Sequence, residues 1–229
     1  IEHADKRCLV VIDEFQQITK YPEKNIEAIL RSYIQKQSNA NFVFAGSQRT
    51  ILEEMFLSSR RPFFQSAKLI QLEAIALPIY QEFVIKHFQE GEKNIMPEAI
   101  EKVYMTFRGV TLYMQRIMKD AYAMTPVGVT CDMALVDSLI DSFVTENDYR
   151  IRELLAYISE PQKEVLYAIH EEGQAKSIVS AAFTKKHRLK SPSATQSAAQ
   201  KLLEDDILTR NEKVYSIADP LLILWFDKK

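Results

Sequence analysis

The residues with the most chemical content lie near the start of the chain, in Cys8-Leu9-Val10-Val11-Ile12-Asp13-Glu14. Five residues with no strongly polar side chain end in two adjacent carboxylates. A short apolar run bounded by charge predicts a strand buried on both faces, as in a parallel sheet. Ligands of open parallel sheets sit beyond the carboxyl ends of the strands, which is where Asp13 and Glu14 fall. One carboxylate there supplies an anion for a hard divalent cation. A second can polarise a water molecule for attack. The plain alternative is a buried strand that ends in solvent-facing charge.

The elements that would position these carboxylates follow in order. Ile26, Ile29, Leu30, Tyr33 and Ile34 recur at helical spacing after Pro22 and Glu23. Asn41 to Gly46 reads as a second buried strand, ending in Gly46-Ser47-Gln48. Strand, helix, strand is a βαβ unit with a right-handed crossover. Ser47, or failing it Gln48, is placed beside the carboxylates, although Ser47 could equally cap the helix expected over 48–57. A break at Ser58 to Phe64 and a third strand at Lys68 to Leu72 complete this part. From Pro78 onward the pattern is helical. Ile79, Phe83, Val84 and Phe88 line one helix, Ile100, Val103, Tyr104 and Phe107 the next, Val110 to Met124 a third, and Leu135 to Phe143 a fourth.

The last part has its own signature. Ser159-Glu160-Pro161-Gln162 predicts a capped helix start that Gly173 closes. A second helix is expected over Ser177 to Lys186, and a third after Ser191-Pro192-Ser193. A hairpin follows from Ile207 to Ile217, turning at Asn211-Glu212. Three helices and a hairpin make a winged helix-turn-helix. Lys185, Lys186, Arg188 and Lys190 precede the candidate recognition helix, which carries Gln196. Basic side chains reach phosphates, and Gln can read adenine edges. Residues 176–229 carry ten basic against six acidic side chains, although the whole chain has net charge −2. Glu204-Asp205-Asp206 ends that helix in three acids, which argues against DNA contact.

Composition bounds the class. The chain has 229 residues, 47% hydrophobic and 26% charged, enough for a sizeable core. No apolar run approaches the length of a membrane span, and no signal peptide is evident. Cys8 and Cys131 have neither disulfide-framework nor metal-ligand spacing, and read as reduced cytoplasmic thiols.

The strand ending in Asp13-Glu14 resembles the Walker B motif of P-loop ATPases. The stretch from Phe42 to Phe83, with Gly46-Ser47, Pro62-Phe63-Phe64, Ile70-Gln71-Leu72 and the helix from Tyr80, resembles the archaeal-type ATPase family, a STAND-like branch of the AAA+ proteins. Gly109, Tyr113 and Met114 match the spacing of the family's Gly-x-Pro-x-Tyr-Leu motif, with Thr111 in place of the Pro. The tail Tyr215 to Leu222 with Trp225-Phe226 resembles the family's winged-helix ending. The resemblance implies ATP and Mg²⁺ as cofactors. Asp13 would hold the metal, Glu14 would orient the attacking water, and Ser47 would act as a sensor of the γ-phosphate. Gly109 and Tyr113 would lie near the adenine. Arg60, Arg61 and Arg116 are charges that such a site could use, or plain solvated ones.

The chain contains no G-x-x-x-x-G-K-[ST] loop, and only twelve residues precede Asp13. The expectation is therefore an N-terminally truncated piece of a longer ATPase, cut before Walker B so that it lacks the phosphate loop; the alternative is a fold that was never of the P-loop kind. The expected architecture is α/β plus all-α: half of an AAA+-like α/β core over 1–75, a helical lid over 76–157 and a winged helix-turn-helix over 158–229. The expected function is a nucleotide-controlled switch, inactive as this chain alone, whose winged helix meets DNA or a protein, with oligomers allowed and no membrane association. A DNA-binding regulatory module and a protein scaffold are the alternatives.

Overall fold

The computed structural model describes residues 6–229. The chain divides into two compact units between Leu72 and Glu73.

In the N-terminal unit, β1 (Cys8–Ile12) and β2 (Ala40–Phe44) pair in parallel, in register from Cys8↔Ala40 to Ile12↔Phe44. The connection between them contains a 3-10 helix (Phe15–Lys20) and α1 (Ile26–Gln35); α2 (Arg49–Leu57) follows β2. Phe15, Met55, Phe56 and Phe63 form the core, with Ile12, Leu30, Ile34 and Phe44 packed around it. The rings of Phe15, Phe44, Phe56 and Phe63 all lie within 4.4–5.9 Å of one another, centroid to centroid. The Pro62-Phe63-Phe64 turn brings the fourth ring into this cluster.

Two expectations fail here. Neither β1 nor β2 is a fully buried strand: their residues alternate, and Leu9, Val11 and Val43 are 67%, 60% and 45% exposed. A two-stranded sheet backed by one aromatic cluster covers one face of the pleat, and side chains alternate between faces. Residues 68–72 form no strand, and Leu72 is 92% exposed. A strand exists only through ladder pairing, and among the described residues the sheet of this unit contains β1 and β2 alone.

The C-terminal unit is mostly helical. Helices α3 (Leu77–Glu90), α4 (Pro97–Thr106), α5 (Thr111–Met124) and α6 (Met133–Glu146) come first. Two short strands, β3 (Asn94–Ile95) and β4 (Thr130–Cys131), pair in parallel and tie the start of α4 to that of α6. Then come α7 (Asp148–Tyr157), α8 (Glu160–Glu172), β5 (Ala175–Lys176), α9 (Ala181–Lys186), α10 (Pro192–Glu204), β6 (Leu208–Asn211), β7 (Val214–Ile217) and α11 (Pro220–Asp227). Five of these helices carry Pro in the first turn, where its missing N–H is not needed. Ser159 and Gln162 form a capping box on α8. One continuous core runs from Tyr80 to Phe226.

The winged-helix pattern is present with three adjustments. The second helix begins at Ala181, not Ser177, because the Ser180 hydroxyl accepts the Phe183 N–H as the N-cap. The hairpin β6–β7 gains a third strand, β5, antiparallel to β7. The turn falls one residue later than expected, at Glu212-Lys213.

Candidate functional site

The carboxylate pair is built by an interruption of the ladder. Ala45 donates its N–H to the Ile12 carbonyl, and its own carbonyl accepts the Phe15 N–H, each at 2.9 Å. Asp13 and Glu14 lie between those two bonds and are looped out of the ladder, so both side chains are exposed. Phe15, wedged among the aromatic rings, pins the chain directly after them. Glu14 adopts a left-handed conformation, φ 48° and ψ 41°. Such a backbone costs a non-glycine residue about 1–3 kcal/mol and tends to mark functional positions.

Three side chains converge there. The Ser47 hydroxyl donates to Glu14 Oε2 at 3.3 Å. Gln16 Nε2 donates to the same oxygen at 2.5 Å and to Ser47 Oγ at 3.4 Å. The carboxylate can only accept, so the Gln16 amide must face it nitrogen-first. Gln16 is 0% exposed, and its Oε1 is buried with no partner among the described residues. An unmet buried acceptor costs about 1–3 kcal/mol. A Cβ on Gly46 would lie 2.0 Å from that oxygen, so the glycine provides the space the amide occupies. The structure thus brings Glu14 and Ser47 together. The N-cap of α2 is Gln48, and the Ser47 hydroxyl turns to Glu14. Asp13 Oδ1 accepts the Glu14 backbone N–H at 2.9 Å.

Sequence reasoning missed Gln16. The one available signal was a polar side chain two residues beyond Glu14 within an otherwise core-forming run. Among the described residues no group of three or more His, Cys, Asp or Glu side chains forms a metal cluster. The exposed Asp13 carboxylate fits Mg²⁺ nevertheless, because that ion uses one or two carboxylates and completes its shell with water and phosphate.

The candidate arginines divide. Arg61 is partly buried and pairs with Glu27 of α1 at 2.7 Å and with Glu54 at 3.8 Å. Burial pushes the Glu27 carboxyl up, against the opposing pull of Arg61. Arg60 is exposed. Arg116 pairs with Asp120 and Glu146.

In the C-terminal unit, Gly109 (φ 75°) follows Arg108 (φ 52°) at the end of α4 and donates its N–H to the Tyr104 carbonyl. Its missing Cβ would meet the Ala74 Cβ at 2.7 Å. Tyr113, 8% exposed, sits with its hydroxyl 2.9 Å from both carboxylate oxygens of Asp219. Asp219 caps α11 through the Leu221 N–H and pairs with Arg150 at 3.5 Å. Burial raises the Tyr113 phenol.

Lys185 and Lys186 end α9, Arg188 and Lys190 lie in the connection to α10, and Gln196 is on α10; all five are exposed. Lys186 Nζ donates to Glu172 Oε1 at 2.5 Å, and the His187 ring lies between Glu171 and Glu172. Hydrogen bonds from Lys186 and His187 hold the Glu172 carboxyl below its usual value. Thr195 turns inward, its hydroxyl bonded to the Ser191 carbonyl.

Residues 149–228 match a family described as "Probable winged helix domain". No curated protein matches the chain. The Walker-type ATPase PABY2304 of Pyrococcus abyssi superposes with a TM-score of 0.70 at 14% identity, over 96% of this chain and 63% of that one. ORC2 of Aeropyrum pernix, in ADPNP and ADP complexes, gives 0.55 at 15% identity over 97% and 65%. A RuvB variant of Thermotoga maritima gives 0.51 at 16% identity over 93% and 67%. The chain spans about two thirds of the length of each. The fold is therefore AAA+-like, mixed α/β but mostly helical, with small parallel sheets and a C-terminal winged helix. No helix among the described residues is long and apolar enough to cross a membrane.

Proposed function

We propose that the chain carries the hydrolytic carboxylates of an ATPase of the archaeal, STAND-like kind, in which nucleotide controls the winged helix. The observation that supports this most is Glu14 itself. It is looped out at the C-terminal end of a parallel strand, held in a left-handed conformation, with the Ser47 hydroxyl and the Gln16 amide on one oxygen. Asp13 would hold Mg²⁺, which when bound offsets phosphate charge and orients the triphosphate. Both protein donors bind Glu14 Oε2, so Oε1 is the oxygen that accepts hydrogen from the attacking water. Ser47 would act as the sensor, its hydroxyl drawn to charge developing on the γ-phosphate. Gly109 and Tyr113, at the end of α4 and the start of α5, are assigned to the adenine side. The ADPNP and ADP complexes of the ORC2 neighbour agree with a nucleotide ligand of this class.

The test is single-turnover ATP hydrolysis by the natural polypeptide that carries these residues. Glu14→Gln should keep nucleotide binding and lower hydrolysis about 10²–10⁴-fold, the usual worth of a positioned acid–base group. Asp13→Asn should also weaken Mg²⁺-dependent binding. Unchanged hydrolysis in Glu14→Gln would sink the assignment. The 229-residue chain by itself has no Gly-rich phosphate loop, so it should bind ATP poorly and show no turnover.

A second reading concerns the winged helix. The exposed row Lys185, Lys186, Arg188 and Lys190 beside α10 favours contact with a DNA backbone. Replacing all four with Ala should weaken duplex binding regardless of sequence and flatten its salt slope. No duplex binding by the native chain at low salt would leave a protein as the partner.

A further inference from the structure

We propose that Gln16 is the positioning residue of Glu14, and that Gly46 is glycine so that Gln16 can take that place. This rests on the reading of Glu14 as the residue that orients the attacking water. Gln16 has no exposure and follows Phe15, itself locked in the aromatic cluster. The amide is therefore a fixed donor beneath an exposed, mobile-length side chain. Its nitrogen holds Glu14 Oε2 at 2.5 Å and reaches Ser47 Oγ at 3.4 Å, so one group sets both polar residues of the site. Its oxygen meets no partner among the described residues. A buried amide satisfied at one end only is poor packing, and an apolar side chain of similar size would fill the space without that penalty. What an apolar residue cannot do is restrain the carboxylate.

Gly46 supplies an independent handle. Its Cβ would fall 2.0 Å from Gln16 Oε1 and 3.0 Å from Leu52 Cδ1. Its φ lies outside the left-handed region, so the backbone accepts alanine and the amide is what must move. A shift of about 1 Å in a reacting group can cost about 10²-fold in rate.

The experiment measures single-turnover ATP hydrolysis and nucleotide affinity in the natural polypeptide for Gln16→Leu, Glu14→Gln, Gly46→Ala, Gln16→Ala and the pairwise combinations. Gln16→Leu should lower the rate about 10–10²-fold, the size of effect seen for residues that orient a reacting ligand, while affinity stays within about twofold. In the Glu14→Gln background, Gln16→Leu should cost nothing more, since the carboxylate it restrains is gone. Gly46→Ala should reproduce the loss in the native background and add nothing once Gln16→Ala has removed the amide. Equal losses from Gln16→Leu in both backgrounds overturn the proposal, because they mark a structural role. Full activity of Gln16→Leu while Glu14→Gln is inactive overturns it and leaves the ATPase reading intact. Full activity of Glu14→Gln overturns both. If Gln16→Leu fails to fold by circular dichroism, Gly46→Ala with and without Gln16→Ala makes the same comparison.

Discussion

Among the described residues of the N-terminal unit four apolar side chains, Phe15, Met55, Phe56 and Phe63, are buried, and β1 leaves Leu9 and Val11 in solvent. In the C-terminal unit one core runs from Tyr80 to Phe226 through helices and both short sheets. The first unit carries the carboxylates and an amide with an unmet oxygen. The second carries capped helices and exposed basic residues around α10. Left-handed non-glycine residues occur in both units, so the difference lies in how much packing stands behind a functional side chain. The carboxylate site does not sit in the best-packed region; it hangs on a small aromatic cluster whose central ring directly follows Glu14. A defect in that cluster therefore reaches the site at once, while a defect in the larger core is shared among many neighbours.

The largest effect expected from this contrast is that of Phe15→Ala. Removing a fully buried ring costs about 3–5 kcal/mol, which is a large part of what a small unit has. Hydrogen exchange should show β1 and β2 losing protection while α8 and α10 keep theirs. Leu202→Ala, in the α10 face of the larger core, should cost about 2–5 kcal/mol and show the reverse pattern. Loss of protection in both units from either substitution would break the comparison.

Next in size is Tyr113→Phe. The hydroxyl bonds a carboxylate that also caps α11, and Asp219 is about one third exposed. The expected cost is about 1–2 kcal/mol, below that of a fully buried charged hydrogen bond. Urea unfolding of the C-terminal unit should report it, with the midpoint moving and the slope unchanged.

The smallest effect is also the sharpest, because acid should act on the two units in opposite senses. Hydrogen bonds from Arg152 and Trp225 hold Asp148 at about 2, against an ordinary 3.8. The folded state then binds fewer protons than the unfolded one. That stability is fully present above 3.8 and is lost as pH falls through about 2. Glu27 is raised above 4.5, chiefly by burial. There the folded state binds more protons, so the N-terminal unit should lose stability as pH rises from 4.5 through the raised value. Unfolding midpoints followed from pH 6 to pH 2 should show the two trends, Asp148→Asn removing one and Glu27→Gln the other. Parallel trends in the two units would refute the assignment.

Much of the fold can be read from neighbouring residues. The apolar run into Asp13-Glu14 predicts β1, the prolines at helix starts predict α3, α8 and α10, and Ser191 and Gly173 mark where helices begin and end. These signals are local: a cap, a ring constraint or a periodicity acts within a turn or two of chain. The carboxylates of the site were legible for the same reason, since their chemistry lies in their type and adjacency. Tertiary structure decided what those residues meet. Lys68 to Leu72 has strand composition and no ladder, because pairing requires a neighbour that no local pattern supplies. Ser47 suits a helix cap by type, yet it faces a carboxylate 33 positions earlier. Tyr113 finds Asp219 106 positions away. Gln16 looks like any polar residue after a strand, and only the packing of Phe15 and the gap at Gly46 turn its amide onto Glu14. Propensity is a property of a few consecutive residues; a contact depends on where distant ones arrive.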